Sequence, residues 1–247
     1  MNILITNDDG ISCKGILALE TVFKRKYNTF LIAPLRERSV TSMALSVIEK
    51  LRVEKVYEDH YIVDGYPVDC VNIGLHGNIF PEIDVVISGI NRGVNMGNDV
   101  HYSGTVGAAR HGAIHGLYAF SVSSGKMDDK TDYLQEAEMF FEFFENQIHN
   151  FKKGLVYNFN FPVKYKKSQS EFRLAKLGKR TYIDHYQVTS LVGNISEFYL
   201  GGSQLGFVDT EGTDFFEFNR NRIPLTPLFM DVTDYTEYNA LKDRLHG

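Results

Sequence analysis

The sequence predicts an α/β protein whose core is a mostly parallel sheet with flanking helices. Over roughly the first 125 residues, short apolar and β-branched runs alternate with segments of helical periodicity. The apolar runs stop at turns rich in Gly, Asn, Asp and Pro. Such alternation is typical of βαβ units, in which a helix returns the chain to a parallel neighbouring strand by a right-handed crossover. We therefore expect one parallel sheet in this part of the chain.

The individual elements follow from the period of the apolar residues. The run at 2–6 predicts a first buried strand, which ends at the turn formed by residues 7–10. Ile16, Leu19 and Phe23 recur at helical spacing and predict a helix. In chain order we predict strands at 2–6, 29–33, 84–88 and 119–123, and helices at 15–26, 105–115 and 131–150.

The pattern changes after residue 155. Helical periodicity disappears there, aromatic residues are frequent, and turns rich in Gly, Lys and Ser separate short strand-like runs. We predict strands at 156–161, 172–175 and 198–200, and a last helix at 235–245. We interpret residues 156–247 as a β-rich extension, continuous with a core formed by residues 1–155, so that the chain is a single domain.

The composition limits the classes of function. With 43% hydrophobic and 23% charged residues, the chain has the make-up of an ordinary globular protein. A net charge of −5 argues against binding a nucleic-acid polymer through a broad basic surface. Two cysteines are too few for a disulfide framework, the first apolar run is too short for a signal peptide, and no apolar run approaches the ~20 residues of a membrane span. We expect a cytoplasmic protein that binds neither membrane nor nucleic acid.

Two adjacent carboxylates follow the first predicted strand. Asp8 and Asp9 lie in an Asn-Asp-Asp-Gly turn at its carboxyl end, where open α/β sheets bind their ligands. Neighbouring, partly desolvated carboxylates raise each other's pKa unless a cation separates them. Mg²⁺ or Mn²⁺ would satisfy both, because hard divalent ions take oxygen ligands. The alternative interpretation is a solvated turn without a metal.

Neutral oxygen ligands are predicted in the loops that follow two further strands. Ser39 comes after the second strand and Asn91 follows the third, and Asn95, further along the same loop, is a candidate for binding the phosphate or substrate. The carboxyl ends of parallel strands meet at one edge of a sheet, so these side chains can converge with the two carboxylates. Judged alone, Ser39 could be an ordinary loop hydroxyl, and Asn91 could serve left-handed backbone geometry.

A fourth loop opens a predicted helix with Ser103, Gly104 and Thr105. A helix N-terminus offers backbone N–H groups and the positive end of the helix dipole, so these residues predict a phosphate-binding site. A metal with open positions beside a bound phosphate can polarise a P–O bond and activate a water, which indicates phosphate-ester hydrolysis. The alternative is that Ser103 only caps the helix.

Several segments together form a recognisable pattern. The four main ones are Ile3-Leu4-Ile5-Thr6-Asn7-Asp8-Asp9-Gly10, Ala33-Pro34 with Ser39, Val86-Ile87-Ser88-Gly89-Ile90-Asn91 and Tyr102-Ser103-Gly104-Thr105-Val106. Weaker matches lie at Gly65 with Pro67, and at 69–71, 158–162, 212–214 and 226–228. In this order the segments resemble the SurE survival-protein nucleotidases, and the resemblance spans nearly the whole chain.

The resemblance implies a Rossmann-like core with a β-hairpin-rich C-terminal extension that serves to form homodimers or homotetramers. It implies a metal-dependent phosphatase acting on nucleoside 5′- and 3′-monophosphates, some members also acting on short polyphosphate. The implied ligands of one divalent metal ion per subunit, Mg²⁺ or Mn²⁺, are Asp8, Asp9, Ser39 and Asn91. The implied phosphate contacts lie around Ser103, Gly104 and Thr105.

The chain departs from the usual pattern of this family at three places. Val40 replaces the glycine that normally follows the ligand serine, which stiffens that loop. His111 stands where an acidic residue is usual, so we expect a more positive charge near the site. The stretch 221–224 replaces Gly-Tyr-Val-Ser, and we expect Asn221 to adopt a left-handed backbone there. These changes bear on substrate preference and assembly.

Our hypothesis is a nucleotidase in which Asp8 and Asp9 are the catalytic residues and a metal-activated water attacks the phosphorus. One rival is an aspartyl-phosphate phosphatase, but that class spaces its two acids by one residue and needs a downstream lysine. A second rival is a non-catalytic nucleotide- or metal-sensing module, because a fold does not fix a function.

Overall fold

The computed structural model describes residues 1–128, 130–168, 171–182, 185–201 and 206–246. Its strands are β1 (Asn2–Thr6), β2 (Asn28–Pro34), β3 (Val53–Tyr57), β4 (His60–Val63), β5 (Val85–Arg92), β6 (Tyr118–Ser124), β7 (Val156–Phe161), β8 (Phe172–Leu174), β9 (Lys179–Thr181), β10 (His185–Val192), β11 (Ile195–Gly201), β12 (Gly206–Val208) and β13 (Ile223–Leu228). Its α-helices are α1 (Lys14–Phe23), α2 (Pro67–His76), α3 (Gly104–Ile114), α4 (Leu134–Gln147), α5 (Asp214–Asn219) and α6 (Tyr235–His246). Short 3-10 helices cover Gly97–His101 and Ile148–Asn150. Within these ranges no helix is both long enough and apolar enough to cross a bilayer.

Nine strands form one sheet in the order β3-β4-β2-β1-β5-β6-β7-β13-β8. All neighbours from β4 to β7 are parallel. The chain starts at β1 in the middle, builds one side through β2 and β4, and then crosses to β5 on the other side. The strand order therefore reverses between β1 and β5, and their carboxyl ends flank the crevice in which such sheets bind ligands. The predicted α/β class with a mostly parallel sheet is confirmed.

Helices cover both faces of the sheet, as the alternation of side chains along β1 shows. Ile3 and Ile5 point to one face and join the core that Phe140 of α4 helps to fill. Leu4 points to the other face and packs in the cluster that contains Val71 of α2. Each fully buried apolar side chain contributes about 1.5–3 kcal/mol. Packing on both faces thus stabilises the sheet, including the edge formed by the carboxyl ends of its strands.

Several regions differ from the sequence-based expectations, among them the first helix, which ends at Phe23, and β9, β10, β12, β13 and α5, which were not predicted. The helix predicted at 131–150 is shorter, because Tyr133 has a left-handed backbone (φ 55°) and the C-terminal turn is a 3-10 helix. β5 continues to Arg92, beyond the expected end at residue 88. The segment between β2 and β5 contains β3, β4 and α2, which the sequence analysis did not assign. β3 is mostly exposed and lies at the sheet edge, so it lacks the apolar pattern that marks a buried strand.

The C-terminal part continues the sheet and adds hairpins to it. β7 pairs in parallel with β6, and β13 pairs antiparallel with β7. These two strands of the C-terminal extension therefore belong to the same sheet as the core formed by residues 1–155. β10 and β11 form a separate antiparallel hairpin with exposed apolar side chains such as Leu191 and Phe198. Asn221 has a left-handed backbone (φ 59°), as expected. The predicted hairpin-rich extension is confirmed.

Candidate active site

A cavity of about 830 Å³ opens beside the carboxyl ends of β1 and β5. Six of the predicted site residues line it: Asp8, Asp9, Ser39, Asn91, Asn95 and Ser103. The other two, Gly104 and Thr105, are buried and are absent from its described wall. The loops after β1, β2 and β5 and the N-terminus of α3 thus meet at one place, as parallel strands require.

Asp8 is the buried carboxylate of the site, with 6% of its surface exposed. The Thr105 hydroxyl donates a hydrogen bond to Asp8 Oδ1 at 2.6 Å. The Arg38 amide donates to the Asp8 carbonyl at 2.8 Å, which ties the loop after β2 to the loop after β1. Burial raises the pKa of Asp8 to about 6, opposed by the Thr105 hydrogen bond and reinforced by the charge of Asp9. An ionised Asp8 is therefore costly without a cation.

Asp9 is the more accessible of the pair. Burial raises the pKa of its carboxyl and the charge of Glu37 adds to the shift, while the backbone N–H and the charge of Arg92 oppose it. Asp9 Oδ2 lies 3.5 Å from the Arg92 amide nitrogen. The Cys13 thiol donates to the Asp9 carbonyl at 3.2 Å and helps to fix the turn. Two carboxyls with raised pKa values thus stand side by side at the cavity.

The loop after β2 brings in an acid that the sequence analysis missed. Glu37 lines the cavity, and the Ser39 hydroxyl donates to Glu37 Oε1 at 2.8 Å. Ser39 thereby commits its proton to Glu37 and keeps its oxygen lone pairs for another partner. The signal was the position of Glu37, two residues before Ser39 in the same charged loop.

Val40 follows Ser39 and has a left-handed backbone, with φ at 58°. Its side chain is 75% exposed and lines the cavity. A β-branched residue is strained in this conformation, whereas glycine adopts it freely. The sequence analysis expected a stiffer loop at Val40, and the structure adds the reason why a glycine would suit this position.

Asn91 reaches the cavity because β5 contains a β-bulge. Ser88 pairs with Ser121 of β6, and Asn91 pairs with Ser123, so β5 carries one extra residue between these pairs. The Asn91 amide nitrogen donates to the Gly93 carbonyl at 2.7 Å. This bond fixes the amide plane and leaves the amide oxygen as the candidate ligand.

The residues predicted to bind phosphate divide into two groups. Ser103 and Asn95 line the cavity, although each also has a structural partner. Ser103 Oγ accepts from the Val106 amide at 3.1 Å and so caps α3, as the alternative interpretation proposed. Asn95 Nδ2 donates to Ser123 Oγ at 2.8 Å. Thr105 forms the second group, since it is buried and does not line the described cavity. Its hydroxyl donates to Asp8 instead.

The structure places His111 away from the candidate active site. His111 lies on α3 against α2, with its Nε2 3.3 Å from Asn72 Oδ1, and it does not line the described cavity. Burial and the nearby imidazoles of His115 and His76 lower the pKa of His111 to about 4. The imidazole is therefore neutral at physiological pH and adds no positive charge to the site.

The far wall of the cavity is aromatic and apolar. Tyr102 and Tyr182 meet edge to face, with ring centroids 6.5 Å apart, and Leu200 lies in the same wall. The Tyr182 hydroxyl donates to Asp99 Oδ1 at 2.5 Å, and Arg180 forms an ion pair with Asp99 at 2.6 Å. Sequence analysis missed this wall, because Tyr182 and Leu200 come from the C-terminal extension.

The donor set fits a hard divalent cation. Asp8 and Asp9 supply carboxylates whose pKa values are raised, and Ser39 and Asn91 supply neutral oxygens. In the part of the chain that the structure describes, no three His, Cys, Asp or Glu side chains form a metal-binding cluster. A cation here would therefore depend on the neutral oxygens as well as on the paired carboxylates.

The fold and the cavity define an α/β protein with an acidic ligand site at the switch point of a parallel sheet. The chain belongs to the SurE family: the family model described as "Survival protein SurE" matches residues 3–184. A "5'-nucleotidase SurE" of Leptospira interrogans is 58% identical over 245 residues, which cover 99% of this chain and 98% of that protein. A protein of the same name from Geobacter sulfurreducens is 34% identical, covering 98% of this chain and 93% of that protein.

A solved structure supports the same assignment. The crystal structure of the SurE protein from Aquifex aeolicus matches with a TM-score of 0.81 at 27% identity. The match covers 99% of this chain and 99% of that one. The likeness thus extends over the sheet and the C-terminal extension together.

Proposed function

We propose that the protein is a 5′-nucleotidase that hydrolyses nucleoside 5′-monophosphates to nucleoside and phosphate in a metal-dependent reaction. The observation that carries the proposal is the buried Asp8 beside Asp9, placed at the switch point and facing the N-terminus of α3. The relatives named 5'-nucleotidase SurE support the reaction class. The cavity of about 830 Å³ is within the range of pockets that take molecules of nucleotide size.

The residues would divide the work as follows. Asp8, Asp9, Ser39 and Asn91 would hold one Mg²⁺ or Mn²⁺ ion. When bound, that ion would supply Lewis-acid polarisation of a phosphoryl oxygen and balance the negative charge of the site. Ser103 and the first backbone N–H groups of α3 would orient the phosphate, assisted by the positive end of the helix dipole. Thr105 would hold Asp8 in position.

The aromatic wall would take the nucleoside end of the substrate. Tyr102, Tyr182 and Leu200 offer flat apolar surfaces in the same cavity as the carboxylates. Contacts of this type tolerate different bases, because every base has a π-face. This arrangement is compatible with nucleoside 3′-monophosphates as additional substrates, which we include in the proposal.

Assembly and location complete the proposal. The β10–β11 hairpin and α6 present exposed apolar side chains, among them Tyr186, Phe198 and Leu245. Patches of this kind mark surfaces that meet a partner. We propose a homodimer or homotetramer formed through the C-terminal extension, acting in the cytoplasm on nucleotides and not on nucleic-acid polymers or membranes.

The test is phosphate release from a panel of nucleoside 5′- and 3′-monophosphates, with Mn²⁺ or Mg²⁺ and with EDTA. We expect release that EDTA abolishes and that added metal restores. Nucleotide binding without release under either metal would contradict the proposal and indicate a non-catalytic sensing module. Trapping of a phosphoenzyme would indicate an aspartyl-phosphate mechanism instead.

A further inference from the structure

A second cavity of about 620 Å³ lies beside α3, apart from the carboxylates of the candidate active site. Its polar lining includes Arg110 of α3, Lys176, His101 and Thr226 of β13. No Asp or Glu is among its described lining residues. This is unexpected in a protein with a net charge of −5, and it contrasts with the active-site cavity, which contains Asp8, Asp9, Glu37 and Asp99.

Among the described residues, Arg110 has no partner for its charge. Its Nε is buried and has no hydrogen-bond partner among the described residues, and none of their ion pairs includes its guanidinium. Burial lowers the pKa of Arg110, and no carboxylate of the described residues acts in the opposite direction. A partly buried cation without a counter-ion is unfavourable. An anion bound in the cavity would offset this cost.

Thr226 provides a second unsatisfied group. Only 3% of Thr226 is exposed, and its Oγ1 has no hydrogen-bond partner in the described structure. Buried hydroxyls are normally hydrogen-bonded, and the described residues leave this one unsatisfied beside the cavity. Thr226 lies on β13, whereas Arg110 lies on α3, so the two residues line the cavity from different elements.

The remaining walls indicate the kind of anion. Lys176 adds a second cationic side chain and His101 an imidazole, while Leu174 and Phe229 add apolar surface. Donors on several sides suit a tetrahedral oxyanion, and guanidinium and ammonium groups bind phosphate with charge-assisted hydrogen bonds. The volume leaves room for an organic body attached to the phosphate.

The two cavities are lined by neighbouring residues of one segment. His101 lines the second cavity, and its neighbours Tyr102 and Ser103 line the first. Arg110 lies on the helix that Ser103 caps. An occupant touching His101 and Arg110 would therefore contact the segment that carries Tyr102 and Ser103 into the active site.

We propose that this cavity is a second anion-binding site, which takes a phosphate group and whose occupant modulates the active site through residues 101–103. The phosphate group can come from free inorganic phosphate or from a phosphate ester with a small organic body. The binding claim stands without the proposed nucleotidase function, whereas the modulation claim rests on it.

Binding is tested by calorimetric titration of the full-length protein in EDTA, with inorganic phosphate in one arm and phenylphosphonate in the other. Phenylphosphonate carries an apolar body and is not a phosphate ester. We expect Arg110→Met to weaken the binding at least about tenfold, because it removes charge-assisted hydrogen bonds. Tighter binding of phenylphosphonate than of phosphate would identify an ester as the natural source, and the reverse would identify free phosphate.

Two further variants control the titration. Arg52→Met removes an exposed cation that is paired with Glu54 near the opposite sheet edge, and binding should be unchanged. Lys176→Met removes an exposed side chain of the cavity and should weaken binding even if Arg110→Met fails to fold. Equal binding by wild type, Arg110→Met and Lys176→Met would overturn the proposal. So would the absence of any binding to the wild type, as expected if another subunit fills the cavity.

Modulation is tested by nucleotide hydrolysis at increasing phenylphosphonate. Competition at the active site affects wild type and Arg110→Met alike, so the difference between their kcat and KM responses isolates the second cavity. We expect a response in the wild type that Arg110→Met loses and Arg52→Met keeps. Identical responses in all three proteins, together with Arg110-dependent binding, would leave a binding site but overturn its role as an effector site. Absence of hydrolysis in every protein would contradict the nucleotidase proposal and, with it, the modulation claim, while the titration would still decide binding.

Discussion

The hydroxyl of Thr105 donates a hydrogen bond of 2.6 Å to Oδ1 of Asp8, joining the first turn of α3 to the end of β1. This contact links residues 97 positions apart in the chain, and both partners are buried. It fixes the orientation of the carboxylate before any ligand arrives. Thr105, predicted to contact phosphate, directs its hydroxyl to Asp8, and we propose that it positions this carboxylate.

We expect Thr105→Val to lower metal affinity and kcat by about 10–100-fold, because a hydrogen bond to a charged group contributes about 1.5–3 kcal/mol. Thr105→Ser keeps the hydroxyl and should retain most of both. Metal titration and steady-state kinetics on the two variants would measure the difference. If Thr105→Val raised only KM, a direct role in substrate binding would be favoured over a positioning role.

Asp8→Asn should stabilise the metal-free protein while it removes metal-dependent activity. The folded-state pKa of Asp8, about 6, exceeds its ordinary value of 3.8, so the folded protein binds more protons than the unfolded chain between these values. Ionisation of Asp8 therefore destabilises the folded protein, and the free energy of unfolding falls as the pH rises from about 4 through 6. We expect metal-free Asp8→Asn at pH 8 to be about 1–2 kcal/mol more stable than the metal-free wild type.

The same Asp8→Asn protein should lose metal-dependent activity and should no longer be stabilised by Mn²⁺. Denaturant unfolding with EDTA and with Mn²⁺, alongside the activity assay, would measure both effects. Full metal-dependent activity in this variant would contradict the assignment of Asp8 as a ligand.

Val40→Gly should stabilise the protein by about 0.5–1 kcal/mol. The left-handed conformation at Val40 (φ 58°) costs an L-residue about 1–2 kcal/mol, which exceeds the entropy that glycine adds to the unfolded chain. Val47 is also highly exposed but has no positive φ, so Val47→Gly should destabilise. Urea unfolding midpoints would compare the two. Equal losses of stability would show that the loop conformation at Val40 is not strained.

His111 should make stability fall in weak acid. Its folded-state pKa is lowered to about 4 from 6.5, so the unfolded chain binds more protons between these values. Its contribution is therefore present above pH 6.5 and lost as the pH falls towards 4. The facing groups are the imidazoles of His115 and His76, which lower the pKa with burial, and the carboxylate of Asp69, which opposes them.

His111→Gln should accordingly lose less stability than the wild type between pH 7 and pH 5. His149→Gln, at an exposed position after α4, is the matched control and should behave like the wild type. Urea midpoints at the two pH values would test this. Parallel changes in all three proteins would show that His111 does not titrate as an isolated buried group.

The local sequence pattern was enough to predict the position of several candidate site residues. The turn after β1 placed Asp8 and Asp9, and the polar loops after later strands placed Ser39 and Asn91 at the same edge. Local pattern was not enough where a residue's role depends on a distant partner. Glu37 lies two residues before Ser39 in the loop after β2, but only its contact with Ser39 at the cavity reveals it as part of the site.

The sequence by itself determined the α/β class and the order of the polar loops, because side-chain period and turn residues act over a few neighbouring positions. The tertiary structure alone decided that Thr105 holds Asp8, that His111 is neutral against α2, and that Tyr182 closes the cavity from the C-terminal extension. Each of these depends on desolvation or on contacts between elements far apart in the chain. Such interactions exist only once the sheet and its helices have packed, and no local pattern encodes them.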